Sequence, residues 1–113
     1  MTTPTADIDE NAPRIQDKSE FVTYLESGNK PESEWRIGTE HEKFGFIKDG
    51  LKPLPYDGEA SVRAVLEGFV SEFGWAPIHE GEHVIGLQKD GASISLEPGG
   101  QFELSGAPLE HIH

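Results

Sequence analysis

Residues 92–106 read ASISLEPGGQFELSG. The even positions are Ile94, Leu96, Pro98, Gly100, Phe102 and Leu104; the odd ones are Ser93, Ser95, Glu97, Gly99, Gln101, Glu103 and Ser105. Alternation of period two, apolar against polar, marks a strand with one covered face. Pro98 has no N–H for a ladder and Gly99–Gly100 marks a kink, so the strand is expected to bend or bulge at EPGG. Such a bulge is compatible with preserved or shifted parity. With parity preserved, Glu97, Gln101 and Glu103 share a face turned away from whatever covers the apolar side.

A cover for that apolar side lies upstream. Val62, Val65, Leu66, Phe69, Val70 and Phe73 follow helical spacing, and Gly74 is a stop signal, so a helix is expected up to Gly74. Full burial of its stripe is worth on the order of 10 kcal/mol before entropy. HVIGLQ (83–88) reads as a strand, KDG (89–91) as a turn, and WRIGTEHEKFGFI as one strand from about Trp35 to Ile47. KDG at 48–50 is a second Asp-Gly turn, and LKPLPY after it is extended and broken by proline. Near the N-terminus, Asp17 and Glu20 have capping-box spacing; Phe21, Tyr24 and Leu25 share a helical face; Gly28 fits the C′ position and Pro31 blocks continuation. Residues 1–14 lack apolar periodicity and read as a disordered lead-in. The fold class is α+β, an antiparallel sheet with helices on one face.

Composition removes several functions. The chain has 113 residues, room for one small domain. Its 21 acidic and 9 basic residues leave a formal charge of −12, which excludes a nucleic-acid footprint and disfavours anionic membranes. There is no cysteine, hence no disulfide, thiolate nucleophile or Cys-based zinc site, and a reducing, cytoplasmic setting is expected. No apolar run approaches the roughly 20 residues of a membrane span, and the N-terminus carries no secretory signal.

GTEHEKFGF (38–46) holds a second carboxylate pair. Glu40 and Glu42 would share a strand face with Cβ atoms about 6–7 Å apart, and would repel unless a cation lies between or beside them. All-oxygen ligands of this kind suit Mg²⁺. An ordinary solvated face, with Lys43 and Arg36 nearby to compensate, is the simpler alternative. The same choice holds for Glu97 and Glu103. Taken together, the two pairs suggest a concave acidic face able to hold more than one Mg²⁺. His41 has the opposite parity and is expected to be structural; His79 and His83 are expected in solvent; His111 and His113, at the end of the sequence, are not expected to be ligands. Walker A and nucleophile-elbow motifs are absent.

WRIGTEHEKFGF and GASISLEPGGQFELSGAPLE closely resemble N-terminal signature stretches of glutamate–cysteine ligases of the plant and proteobacterial type, with a resemblance covering about residues 15–113. It implies a glutamine synthetase-like cup, an antiparallel sheet with helices outside, and ATP- and Mg²⁺-dependent ligation of the glutamate γ-carboxyl to the cysteine amine through an acyl phosphate. It further implies Glu40, Glu42, Glu97 and Glu103 as Mg²⁺ ligands and Gln101 as a cofactor or substrate contact. Phe44 and Phe46 are expected to brace the strand. Members of that family are several hundred residues long, so residues 15–113 are expected to form an incomplete part of the domain, inactive alone and open to association through an unpaired sheet edge. Two other readings are a related carboxylate–amine ligase with another amine acceptor, and a non-catalytic acidic interaction module.

Overall fold

The computed structural model describes residues 11–113, which fall into two compact units, one ending at Arg36 and the other spanning Ile37–His113. The expected disordered lead-in at 1–14 lies outside the described residues over positions 1–10. Residues 11–14 form neither helix nor strand.

The first unit contains helix α1, Lys18–Glu26. Its N-terminus is a complete capping box: Ser19 N–H donates to Asp17 Oδ1 at 2.7 Å and Asp17 N–H donates to Glu20 Oε1 at 2.8 Å. The backbone N–H of Ser19, followed by its side chain, holds the Asp17 carboxyl below its ordinary pKa. Gly28 sits one residue past the C-cap Ser27, as expected, but without the left-handed backbone. Phe21, Tyr24 and Leu25 are all exposed. A short 3₁₀ turn, Glu32–Glu34, follows, and Trp35 Nε1 donates to Lys30 O at 2.9 Å.

The second unit is an antiparallel sheet covered on one face by a helix. Its strands are β1 Glu40–Phe44, β4 Ala76–Glu80, β5 His83–Lys89, β6 Ala92–Glu97 and β7 Gln101–Ser105, in the order β1-β7-β6-β5-β4. A small hairpin of β2, Phe46–Ile47, and β3, Lys52–Pro53, stands apart from it. Helix α2 runs Val62–Phe73, as its periodicity predicts. Ser61 caps it, its Oγ accepting from Ala64 N–H at 3.0 Å and donating to Gly58 O at 2.8 Å. Gly74 ends it in the left-handed conformation.

Three sequence expectations change. EPGG is a chain reversal, where a bend within one strand was expected. Pro98–Gly100 forms a 3₁₀ turn with Gly99 and Gly100 at φ 79° and 77°, and Glu97 pairs with Gln101 across it. Left-handed backbone at two successive positions is what glycine permits. The expected strand from Trp35 to Ile47 is broken into an isolated Ile37–Leu109 bridge, β1 and β2. Gly45 separates the last two: a Cβ there would lie 2.8 Å from Leu54 Cδ2, so a larger residue would require the Leu54 side chain to move. Strand β4 was not anticipated. APIHE is short, begins beside a helix stop and contains Pro77, which sits on an edge strand where a missing N–H is tolerated.

The core is Val62 and Leu66 from α2, Val84 and Leu87 from β5, and Ile94 from β6. Val84 and Leu87 have opposite parity yet point the same way. Ile78 pairs with Gly86 and His79 with Val84, leaving Ile85 as an extra residue. That bulge flips the start of β5 and brings Val84 under the helix. Helix α2 lies over β4 and β5. Its stripe is only partly used: Leu66 is 0% exposed, while Val65 and Phe73 are 40% and 61% exposed. Tyr56 ties the segment before α2 to the sheet through its OH to Val84 O at 2.8 Å, and Arg63 Nε pairs with Asp57 Oδ1 at 2.7 Å.

This burial predicts unequal mutational costs. Leu66→Ala should lower unfolding stability by about 2–5 kcal/mol, whereas Phe73→Ala should cost less than about 1 kcal/mol. Urea denaturation followed by far-UV circular dichroism checks both; equal costs would contradict the placement of the core.

Candidate functional site

The β6–β7 hairpin keeps parity through its turn. Ser93 pairs with Ser105, Ser95 with Glu103 and Glu97 with Gln101, while Ile94 pairs with Leu104 and Leu96 with Phe102. Strand β1 continues the pattern, with Glu40 opposite Ser105, Glu42 opposite Glu103 and Phe44 opposite Gln101. Ile94 lies in the core under α2, so the serines, glutamates and Gln101 of this lattice point to the other face. All five candidate residues, Glu40, Glu42, Glu97, Gln101 and Glu103, therefore share one face of three adjacent strands.

Two of these carboxylates are direct cross-strand neighbours, Glu42 and Glu103. Glu97 and Glu103 are half-buried; Glu40 and Glu42 are exposed. Small hydroxyl residues stand between them. Ser95 Oγ donates to Glu97 Oε1 at 2.7 Å, and Ser105 Oγ donates to Glu103 Oε1 at 3.4 Å. The compensating role considered for Lys43 fails on geometry. Lys43 pairs with Phe102 and so faces the α2 side, leaving the carboxylate lattice without that cation.

The donor set suits a hard cation in its chemistry: carboxylates, serine hydroxyls and an amide, all oxygen ligands where they bind metal. Among the described residues, no three His, Asp or Glu side chains converge closely enough to hold a metal ion by themselves.

The histidines separate as parity predicts. His41 pairs with Leu104 and lies on the α2 side, beside an apolar recess that includes Phe69, Trp75 and Phe102. His83 is exposed, with Nδ1 3.2 Å from Arg63 Nη2. His79, His111 and His113 are exposed. Phe44 and Phe46 do not brace the strand from within: they are 62% and 58% exposed. Phe44 stands on the carboxylate face at its Gln101 end, its ring against the turn at Gly99. Its parity with Glu40 and Glu42 was the signal for that placement.

Direct Glu42–Glu103 juxtaposition carries a stability penalty when no cation is bound. Glu103→Gln should therefore raise unfolding stability in metal-free, low-salt buffer by roughly 0.2–1 kcal/mol, and the gain should shrink as salt is added. A loss of stability at every salt concentration would contradict the pairing.

Comparison with known proteins places the chain in a family. Residues 36–113 match the glutamate–cysteine ligase family 2 (GCS2). Over 96 residues, 85% of this chain, it is 57% identical to the chloroplastic glutamate–cysteine ligase A of Oryza sativa subsp. japonica and 51% identical to the chloroplastic glutamate–cysteine ligase of Medicago truncatula. The corresponding protein of Arabidopsis thaliana is 50% identical over the same length. The matched stretch is 19% of the rice protein and 18% of the other two, so the chain spans about a fifth of the length of these relatives. The compartment in their names is the chloroplast, where the sequence suggested the cytoplasm. No helix among the described residues is long and apolar enough to cross a membrane. The match covers more than half of the chain and includes every strand of the carboxylate lattice, so the chain belongs to the glutamate–cysteine ligase family 2.

Proposed function

We propose that this chain supplies one carboxylate-bearing wall of a glutamine synthetase-like cup, in an enzyme that joins the γ-carboxyl of glutamate to the amino group of cysteine using ATP, the first step of glutathione synthesis. The observation that carries the reading is the register placing four glutamates and Gln101 on the sheet face opposite α2. Family membership and the relatives' names support the choice of substrates.

In this reading a γ-carboxylate oxygen of glutamate attacks the terminal phosphorus of ATP and ADP leaves. The cysteine amine then attacks the acyl carbon, phosphate leaves, and the amine loses its proton. Such chemistry asks a protein chiefly for positioning and charge balance. Bound Mg²⁺ would supply that balance by neutralising phosphate charge. Glu40, Glu42, Glu97 and Glu103 are the residues that would hold it, and Gln101, at the turn end of the face, would contact the nucleotide or the substrate. Ser95 and Ser105 orient two of the carboxylates. Without a cation, the same face repels both ATP and glutamate. A chain without cysteine suits a reducing compartment, the cytoplasm or the chloroplast of the named relatives. The 113 residues alone are inactive in this account, because the rest of the cup must provide the cationic side chains that meet phosphate and substrate carboxylates.

The experiment is Mg²⁺-dependent ADP release with glutamate and cysteine, in a full-length ligase carrying these residues. Glu40→Gln and Glu97→Gln should each lower kcat/KM by at least about 100-fold. Unchanged turnover in both variants would remove the assignment. Competition between cysteine and other amines separates this ligase from relatives with a different acceptor.

A further inference from the structure

Helix α2 covers one end of the sheet and leaves the other open. Five strands span about 19 Å from first to last, at roughly 4.8 Å per step, whereas a helix with its side chains is about 10–12 Å across. Helix α2 lies over β4 and β5, and β7 and β1 stand at the far end of the strand order. One cross-strand row shows the consequence. Leu87 of β5 pairs with Ile94 of β6, Ile94 with Leu104 of β7, and Leu104 with His41 of β1. Along that row Leu87 and Ile94 are 0% and 6% exposed, Leu104 is half-buried and His41 is exposed. The cover runs out halfway across the face.

A recess of about 400 Å³ opens where the cover ends. Val65 and Phe69 line it from α2, Phe102 and Leu104 from β7, and Trp75 from the segment after the helix. The polar residues of its lining, His41 and Lys43, both belong to β1. An apolar concavity edged by polar side chains marks a docking surface. Its floor is a sheet face, where backbone donors and acceptors are already bonded between β1, β7 and β6, so a further strand cannot be added there. The occupant has to satisfy its own backbone, as a helix does. A second copy of this chain would bring a formal charge of −12 against the same charge and be repelled. The family offers another source, because the matched stretch is about a fifth of the length of the relatives.

We propose that this recess receives an amphipathic helix from the remainder of the ligase, lying beside α2 and completing the layer over β6, β7 and β1. The proposal rests on the reading above that the chain is one wall of a longer ligase. The apolar face of that helix meets Val65, Phe69, Phe102 and Leu104, at the roughly 8–10 Å separation of packed helices. One of its carboxylates meets Lys43. The register turns Lys43 away from the glutamate face, and its ammonium has no ion pair among the described residues. On this face Lys43 fixes the position of the incoming helix, while the shared apolar surface holds it there.

The test compares a full-length ligase carrying these residues with the 113-residue chain. Hydroxyl-radical footprinting, read by mass spectrometry, should oxidise Trp75, Phe102 and Leu104 readily in the 113-residue chain and several-fold more slowly in the full-length enzyme. A carbodiimide, which joins an amine directly to a neighbouring carboxylate, should link Lys43 of the full-length enzyme to an Asp or Glu beyond position 113. Mixing ¹⁴N- and ¹⁵N-labelled enzyme before the reaction separates links within one chain from links between copies; the expected link lies within one chain. Equal oxidation in the two proteins would overturn the proposal. So would protection without the link, a link between copies, or a link from Lys43 to a carboxylate of residues 1–113. None of these results touches the turnover of the Glu40→Gln and Glu97→Gln variants, which tests the ligase reading separately.

Discussion

The register of one hairpin governs both what this unit buries and what it displays. Glu97 pairs with Gln101 across Pro98–Gly100, and from that pair outward every even residue of β6 and β7 lies on the α2 side and every odd one on the other. Because side chains alternate with period two, a slip of one residue would expose Ile94, Leu96, Phe102 and Leu104 and turn Glu97 and Glu103 toward the helix. Burying unpaired carboxylates is far costlier than leaving them wet. The hydrophobic core and the carboxylate face are therefore two consequences of a single constraint, and the two left-handed glycines of the turn make it attainable.

The carboxylate face carries a conflict that a purely structural surface would avoid. Glu42 and Glu103 are placed directly opposite one another, and the nearest lysine of the sequence motif, Lys43, stands on the other side of the sheet. Ser105 relieves this only by donating a hydrogen bond to one oxygen of Glu103, as Ser95 does to one oxygen of Glu97. Local electrostatic costs of this kind are concentrated at functional sites.

Much of this was legible in the sequence. The even–odd alternation of 92–106 and the parity of Glu40 and Glu42 depend only on strand geometry, and α2 declares itself through six apolar positions and a terminal glycine. The Asp17 capping box was equally readable, being wholly local. What escaped was non-local. Whether Pro98-Gly99-Gly100 bends a strand or reverses it depends on which partner β6 finds. The break at Gly45 lies where Leu54, nine residues on, comes close, and β4 pairs with β5 despite Pro77. The bulge at Ile85 leaves no mark in HVIGLQ beyond two hydrophobic residues of unlike parity. The exposure of Phe44 is a tertiary fact; aromatic residues in a strand give no sign of which layer, if any, will cover them.

The most direct test uses Mn²⁺ in place of Mg²⁺, with ATP, and reads paramagnetic line broadening residue by residue. Broadening should centre on Glu40, Glu42, Glu97, Gln101 and Glu103 and spare α2 and the α2 side of the sheet. Broadening centred on His111 and His113 or spread evenly over the acidic surface would contradict a shared cation site on this face.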